Sequence, residues 1–205
     1  MEAVREGGVW YRWPLQCRWL TGQVGIMDRA ERVDRTALAD ELERTRVHLH
    51  RLLTDASDAS LGRRSSGTRW TNEQLLFHMV FGYMVVQALL PLVRVVSRLP
   101  TRVGRRLAQV LDAGTRPFDV VNYYGSCAAA LVFDRSRMGA KADRVIGAVS
   151  LRLQRESEQT LRQGMFFPVR WDPFFTDYMT IGELYRYPTL HFDFHERQLT
   201  LDHPR

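Results

Sequence analysis

Cysteine and lysine are both scarce in this chain. Its two cysteines, Cys17 and Cys127, are too few for a disulfide framework and lack the spacing of a metal site, so we expect a reduced, cytoplasmic protein. Among the 29 basic residues only Lys141 is a lysine. Because arginine codons are GC-rich, this bias is typical of a high-GC bacterial genome. The pI of about 9.8 is then weak support for nucleic-acid binding, and we expect no nucleic-acid partner.

Long apolar runs are also missing. The longest apolar stretch, residues 75–96, is interrupted by His78, Gln87, Pro91 and Arg94, whereas a membrane span needs about 20 apolar residues in succession. The N-terminus does not have the order of basic, apolar and small segments that marks a signal peptide. With 45% hydrophobic and 25% charged residues, the composition is ordinary for a soluble globular protein with one sizeable core. We expect no membrane partner.

Helical periodicity in four stretches predicts an all-α fold. The stretches are about residues 35–53, 72–97, 140–162 and onward from 180. Thr71 with Gln74, and Thr180 with Glu183, match the capping box that opens a helix. Pro188 is expected to kink or restart the last helix, because proline removes one backbone hydrogen bond.

The long stretch between the second and third predicted helices is harder to interpret. Residues 103–111 indicate an extra short helix, and residues 116–125 have the composition of a loop with buried aromatic side chains. We therefore predict a four-helix bundle with an extra short helix and a long loop, formed by residues 28–205. Residues 1–27 form an N-terminal extension, which is either peripheral or an arm that binds a partner or an interface through its tryptophans.

Three histidines are the strongest functional signal. His191 and His195 are spaced i, i+4, which places both on one face of a helix, and His78 lies on the inward stripe of the second helix. Buried imidazole nitrogens are costly unless something satisfies them, and neutral imidazole is the commonest metal ligand. The pattern therefore predicts that all three bind one divalent metal and leave a coordination position open.

The same residues carry a family resemblance. Trp70-Thr71 followed by His78, and His191 to Leu199 with its H-x-x-x-H-x-x-Q-hydrophobic pattern, resemble motifs of the DinB-like superfamily of four-helix bundle proteins. The resemblance covers roughly residues 30–201. It implies that His78, His191 and His195 bind a zinc, nickel or iron ion, which the sequence does not distinguish.

The resemblance also implies a chemistry. Several members of the superfamily are thiol-dependent S-transferases or isomerases, and in a high-GC actinobacterium the thiol would be mycothiol. The leading hypothesis is therefore a metal-dependent S-transferase that joins a low-molecular-weight thiol to an apolar electrophile. The alternatives are a metal-dependent hydrolase using metal-bound hydroxide, and a non-catalytic, metal-stabilised bundle or dimerisation module.

Pocket contacts are predicted from the loops. Asn122, Tyr123, Tyr124 and Arg170 are candidate binding residues for the thiol or the electrophile. The aromatic segment 166–175, in which Asp172 is a second polar residue, is either a hydrophobic plug over one end of the core or a wall of the pocket. A homodimer is expected, since exposed faces of such bundles often pair.

Overall fold

A computed structural model describes residues 34–202, so the predicted extension at residues 1–27 lies outside the described residues. The described chain forms eight helices and two short strands. The helices are α1 (Arg35–Asp55), α2 (Asp58–Gly62), α3 (Asn72–Val96), α4 (Thr101–Ala113), α5 (Thr115–Val132), α6 (Arg135–Gln154), α7 (Glu158–Leu161) and α8 (Ile181–Glu196). The strands are β1 (Gly164–Phe166) and β2 (Tyr178–Thr180), which pair antiparallel.

Four helices form the bundle that the sequence predicts. Helix α3 packs against α6 and α8, and α1 packs against the same two helices. Their inward faces carry the core, including Leu42 and Leu49 on α1, Leu75 and Val86 on α3, and Ile146 on α6. The all-α prediction is therefore confirmed, because apolar stripes at helical spacing meet along the centre of the bundle.

Capping interactions set where the helices begin. Both predicted capping boxes form, with Thr71 and Gln74 at α3 and Thr180 and Glu183 at α8. Pro188 lies inside α8, which continues through it as one helix, so the prediction of a restart at this proline was wrong. Pro188 is among the buried residues of this helix.

The prediction of a loop at residues 116–125 was also wrong, because these residues lie inside α5. Pro117 falls in the first turn of that helix, where a missing N–H removes no intrahelical bond. The apolar residues of α5 do not form one buried face, because Val121 and Leu131 are exposed whereas the buried positions include the small residues Ser126 and Ala130. This distribution removes the helical periodicity that would have identified α5 from the sequence.

The third core helix is shorter than predicted. Helix α6 ends at Gln154 rather than near residue 162, and Gly164 begins strand β1 opposite Thr180. A Cβ atom at Gly164 would collide with the Met179 carbonyl, so only glycine permits this close pairing. The two strands bring together the ends of the aromatic segment between them and hold that segment at the start of α8.

Helix α3 is long and apolar enough to cross a membrane by length and composition, which the sequence analysis did not anticipate. It is the central helix of the bundle, however, and buried residues lie along it from Asn72 to Val96. A single core helix of this kind is weak evidence for a membrane span.

Candidate metal centre

The three histidines singled out from the sequence converge in the core. Helix α3 contributes His78 and helix α8 contributes His191 and His195. One ring nitrogen from each lies within 4.8 Å of the other two, and the Nε2 atoms of His78 and His191 are 3.1 Å apart. None of the three is more than 7% exposed. We call this group the histidine triad.

Burial keeps the triad neutral. Loss of solvation lowers the pKa of His191 to about 4 and that of His195 to about 3. It also lowers the pKa of His78 well below its ordinary value, and the two neighbouring histidines add to this effect. At neutral pH each ring therefore offers a lone pair, which is the form that binds a metal.

One hydrogen bond fixes the tautomer of His195. Its Nδ1 lies 2.7 Å from the Oε1 atom of Gln198. Because a carboxamide oxygen only accepts, Nδ1 carries the proton and Nε2 presents its lone pair to the triad. Gln198 is the glutamine of the H-x-x-x-H-x-x-Q pattern, and it lies in the turn that follows α8, within reach of the His195 ring.

Two ring nitrogens have no such partner. Within residues 34–202, no hydrogen-bond partner reaches the buried Nδ1 atoms of His78 and His191. The side chain of Asn122 lies beside His78 and partly offsets the lowering of the His78 pKa that burial causes. Among the described residues, the Oδ1 atom of Asn122 has no hydrogen-bond partner of its own. Helix α5, expected to be a loop here, therefore brings a polar side chain to the triad.

Close packing holds the triad rings in place. Trp70 is buried and stacks on His78 with ring centroids 4.3 Å apart. His191 passes so close to α3 that a Cβ atom at Gly82 would lie 2.9 Å from its Nδ1, which is nearer than real Cβ atoms approach. Gly82 therefore makes room for the ring of His191.

A carboxylate adjoins the triad. The Oδ2 atom of Asp172 lies 3.8 Å from Nε2 of His191. Asp172 accepts hydrogen bonds from the Tyr187 hydroxyl and the Phe174 backbone N–H, each 2.9 Å long. Burial is the main influence on this carboxyl and raises its pKa to about 6. The sequence left the segment of Asp172 as either a hydrophobic plug or a pocket wall and did not link it to the histidines, because the segment has no periodicity that fixes its position.

The donor set fits a divalent metal ion. Three neutral imidazoles converge, and the facing Nε2 atoms of His78 and His191 can share only one proton between them. A cation would accept all three lone pairs, and it would also fix both unpaired Nδ1 atoms as N–H donors. Histidine sets of this kind are used by zinc, nickel and iron.

The predicted binding residues fall in two groups. Asn122 lies at the triad, and Tyr123 stacks on Trp70 with centroids 5.8 Å apart. Tyr124 is exposed, and Arg170 is also exposed, with its backbone N–H donating to Asp112. The structure therefore brings Asn122 and Tyr123 to the histidines and places Tyr124 and Arg170 at the surface. Their role in ligand binding stays a prediction.

Three other carboxylates, two of them on α8, bond elsewhere. Asp193 pairs with Arg44, and Glu196 lies 2.6 Å from Nε2 of His48. Glu156 accepts from the Tyr185 hydroxyl at 2.9 Å. Asp172 is therefore the carboxylate to consider beside the triad.

Comparison with known proteins gives one family. A family model described as the DinB superfamily matches residues 41–199, which include α3, α8 and all three triad histidines. No curated protein and no solved structure matches the chain.

Proposed function

The chain belongs to the DinB superfamily, and from this membership together with the buried triad we propose that it is a metal-dependent enzyme that transfers a low-molecular-weight thiol to an apolar electrophile. The observation that carries the proposal is the convergence of three neutral imidazole nitrogens within 4.8 Å. A divalent ion bound there would lower the pKa of a coordinated thiol or water. In a high-GC actinobacterium the thiol would be mycothiol.

Asp172 is the proposed proton acceptor. Its Oδ2 atom lies 3.8 Å from a triad nitrogen, close enough to take the proton that the nucleophile loses. The Tyr187 hydroxyl and the Phe174 N–H hold the carboxylate in one orientation. A pKa of about 6 keeps it mainly ionised at neutral pH and near the operating pH, which suits a general base.

Aromatic rings around the triad suit an apolar electrophile. Trp70 and Phe81 lie against His78, Tyr187 lies against His191, and Phe194 lies against His195. Such walls exclude water and favour an apolar reactant over a charged one. The aromatic surroundings of the triad therefore support an apolar electrophile as the acceptor of the thiol.

The metal is tested first. Elemental analysis of protein purified without chelator is expected to find about one equivalent of a transition metal, and the His191→Ala variant is expected to lose most of it. His48→Ala is the matched control, because His48 bonds Glu196 outside the triad. Equal metal content in wild type and His191→Ala would contradict the proposal.

The thiol is tested by spectroscopy and turnover. Mycothiol added to cobalt-substituted protein is expected to produce a thiolate-to-metal absorption band. In the Asp172→Asn variant, the apparent pKa for formation of this band should be higher than in the wild type. An unchanged spectrum across millimolar thiol would count against the transferase. Tight metal binding without any turnover would support the non-catalytic, metal-stabilised bundle instead.

A metal-dependent hydrolase is the second candidate, and Asp172 is the observation that favours it. A carboxylate beside the metal ligands can take a proton from water as readily as from a thiol. Panels of esters and amides separate the two functions, since a hydrolase turns over with metal and without thiol. Asp172→Asn is expected to lower that turnover by 10²-fold or more, within the usual range for a general base.

A further inference from the structure

A hollow that is open to solvent lies where the ends of α3 and α6 meet α7, and Arg98, Arg155 and Leu151 in its lining are exposed. Its volume is about 610 Å³, within the range of small-molecule sites. Its polar lining includes Arg94, Arg98, Arg152, Arg155, Glu156 and Thr160. None of these is a triad histidine. We call this hollow the arginine cavity.

The charge of the arginine cavity is strongly positive. Four guanidinium groups line it, and Glu156 is its one acidic lining residue. Glu156 is buried, and its Oε1 atom is already engaged by Arg94 and by the Tyr185 hydroxyl. Four positive groups against one negative group leave a net charge of +3 in the wall.

Several donors of these arginines remain unused. The Nε atom of Arg94 is buried, and no residue in the described part of the chain accepts a hydrogen bond from it. Arg152 makes one long contact of 3.5 Å with the Gln87 carbonyl. Within residues 34–202, no ion pair involves Arg98 or Arg155. Guanidinium groups collected around one hollow repel one another, and an anion placed among them removes that repulsion.

The arrangement favours a compact anion over nucleic acid. The densest basic run of the sequence, residues 94–106, does not form a continuous track, because Arg94 and Arg98 line the cavity while Arg105 lies over the Phe166 ring, 4.3 Å from its centroid. The guanidinium fork matches a phosphate group through paired hydrogen bonds. Leu151 adds an apolar wall beside the arginines.

From these contacts we propose that the arginine cavity binds a small organic phosphate monoester. The phosphate lies among Arg94, Arg98, Arg152 and Arg155, and the organic part lies against Leu151. The lining of the cavity includes none of the triad histidines, so the phosphate monoester would be a regulatory ligand. This site stands whether or not the metal-dependent reaction does.

The test is a calorimetric titration with phenyl phosphate. Wild-type protein is expected to bind one equivalent with a Kd at or below about 1 mM at low salt. The Arg98→Gln/Arg155→Gln variant is expected to bind at least about tenfold more weakly. Because neither arginine makes an ion pair within the described chain, the melting temperature of this double variant should equal that of the wild type.

The matched control is Arg102→Gln/Arg106→Gln, which removes the same charge from two likewise exposed arginines of α4 that do not line the cavity. It is expected to bind phenyl phosphate like the wild type. Equal weakening in both double variants would reduce the effect to overall charge and overturn the proposal. Failure of the wild type to saturate would also overturn it, and tight binding of a single-stranded 20-mer in that case would assign the arginines to nucleic acid.

Discussion

At position 82, helix α3 carries a glycine where the ring of His191 passes closest to it. A Cβ atom there would lie 2.9 Å from Nδ1 of His191, so Gly82→Ala must displace the ring or the helix. Because a ligand moved by a few tenths of an ångström leaves its best coordination geometry, we expect metal affinity to fall by about tenfold or more. Competition with a chromophoric chelator measures the change.

Gly147→Ala is the control for this prediction. No heavy atom lies within 4 Å of a Cβ atom at Gly147, and the position is inside α6. Alanine is the better helix former, so this variant should gain about 0.5–1 kcal/mol of stability with unchanged metal affinity. Comparable loss of metal in the two variants would show that contact with His191 is not the cause.

Residues on helices could be predicted from the sequence, and residues on irregular segments could not. His78, His191 and His195 were identifiable because helical spacing states which side chains share a face. Gln198 lies in the turn just after α8, three residues beyond His195, and its side chain still reaches that ring. Asp172 has no such rule, because its place beside the triad depends on the pairing of β1 with β2 and on the hydroxyl of Tyr187.

Among the helices, α8 carries two of the three triad histidines, and a capping box sets its start. The Thr180 hydroxyl accepts from the Glu183 N–H at 3.1 Å, and Glu183 accepts from the Thr180 N–H at 2.7 Å. Thr180→Ala should therefore lower the free energy of unfolding by about 1 kcal/mol. Urea unfolding measures this loss, and Thr54→Ala, at an exposed helical position, should change stability by less.

The capping prediction separates stability from the site. The first turn of α8 lies more than two turns before His191, so Thr180→Ala should keep its metal content while it loses stability. Loss of metal in this variant would mean that the start of the helix positions the histidines directly. Stability equal to that of the wild type would mean that packing alone sets the helix start.

Helix α5 shows where element prediction reaches its limit. A bundle helix is found from the sequence because it buries one face, but α5 leaves Val121, Tyr124 and Leu131 exposed and buries small residues. Its interpretation as a loop was wrong for that reason. The error matters for the site, because α5 is the element that carries Asn122 to His78.

For the molecule as a whole, the triad joins distant parts of the chain. Helices α3 and α8 supply the ligand nitrogens, α5 supplies Asn122, and the segment between β1 and β2 supplies Asp172. A metal that binds only the folded arrangement adds its binding free energy to the stability of the fold. Removal of metal by a chelator should therefore lower the melting temperature, and the His191→Ala variant should show little further change on chelation.

The metal-free protein should in turn lose stability as the pH falls. Unfolded histidines have a pKa near 6.5, whereas burial lowers the pKa of His191 to about 4 and that of His195 to about 3. Between these values the unfolded chain binds more protons than the folded protein, so acid favours unfolding. For His191 the loss between pH 7 and pH 5 is about 2 kcal/mol. Urea unfolding of chelated protein at both pH values measures it.

The variant His191→Gln isolates this contribution. Asp172 acts in the opposite direction, since burial raises the pKa of its carboxyl to about 6 and a raised carboxyl pKa adds stability as the pH falls through that value. Asp172 is present in both proteins, so the comparison removes most of its effect. Glutamine cannot be protonated, and His191→Gln should therefore lose about 2 kcal/mol less than the wild type between pH 7 and pH 5. Equal losses would mean that His191 is solvated in the metal-free protein, and the triad would then be assembled by the metal rather than by the fold.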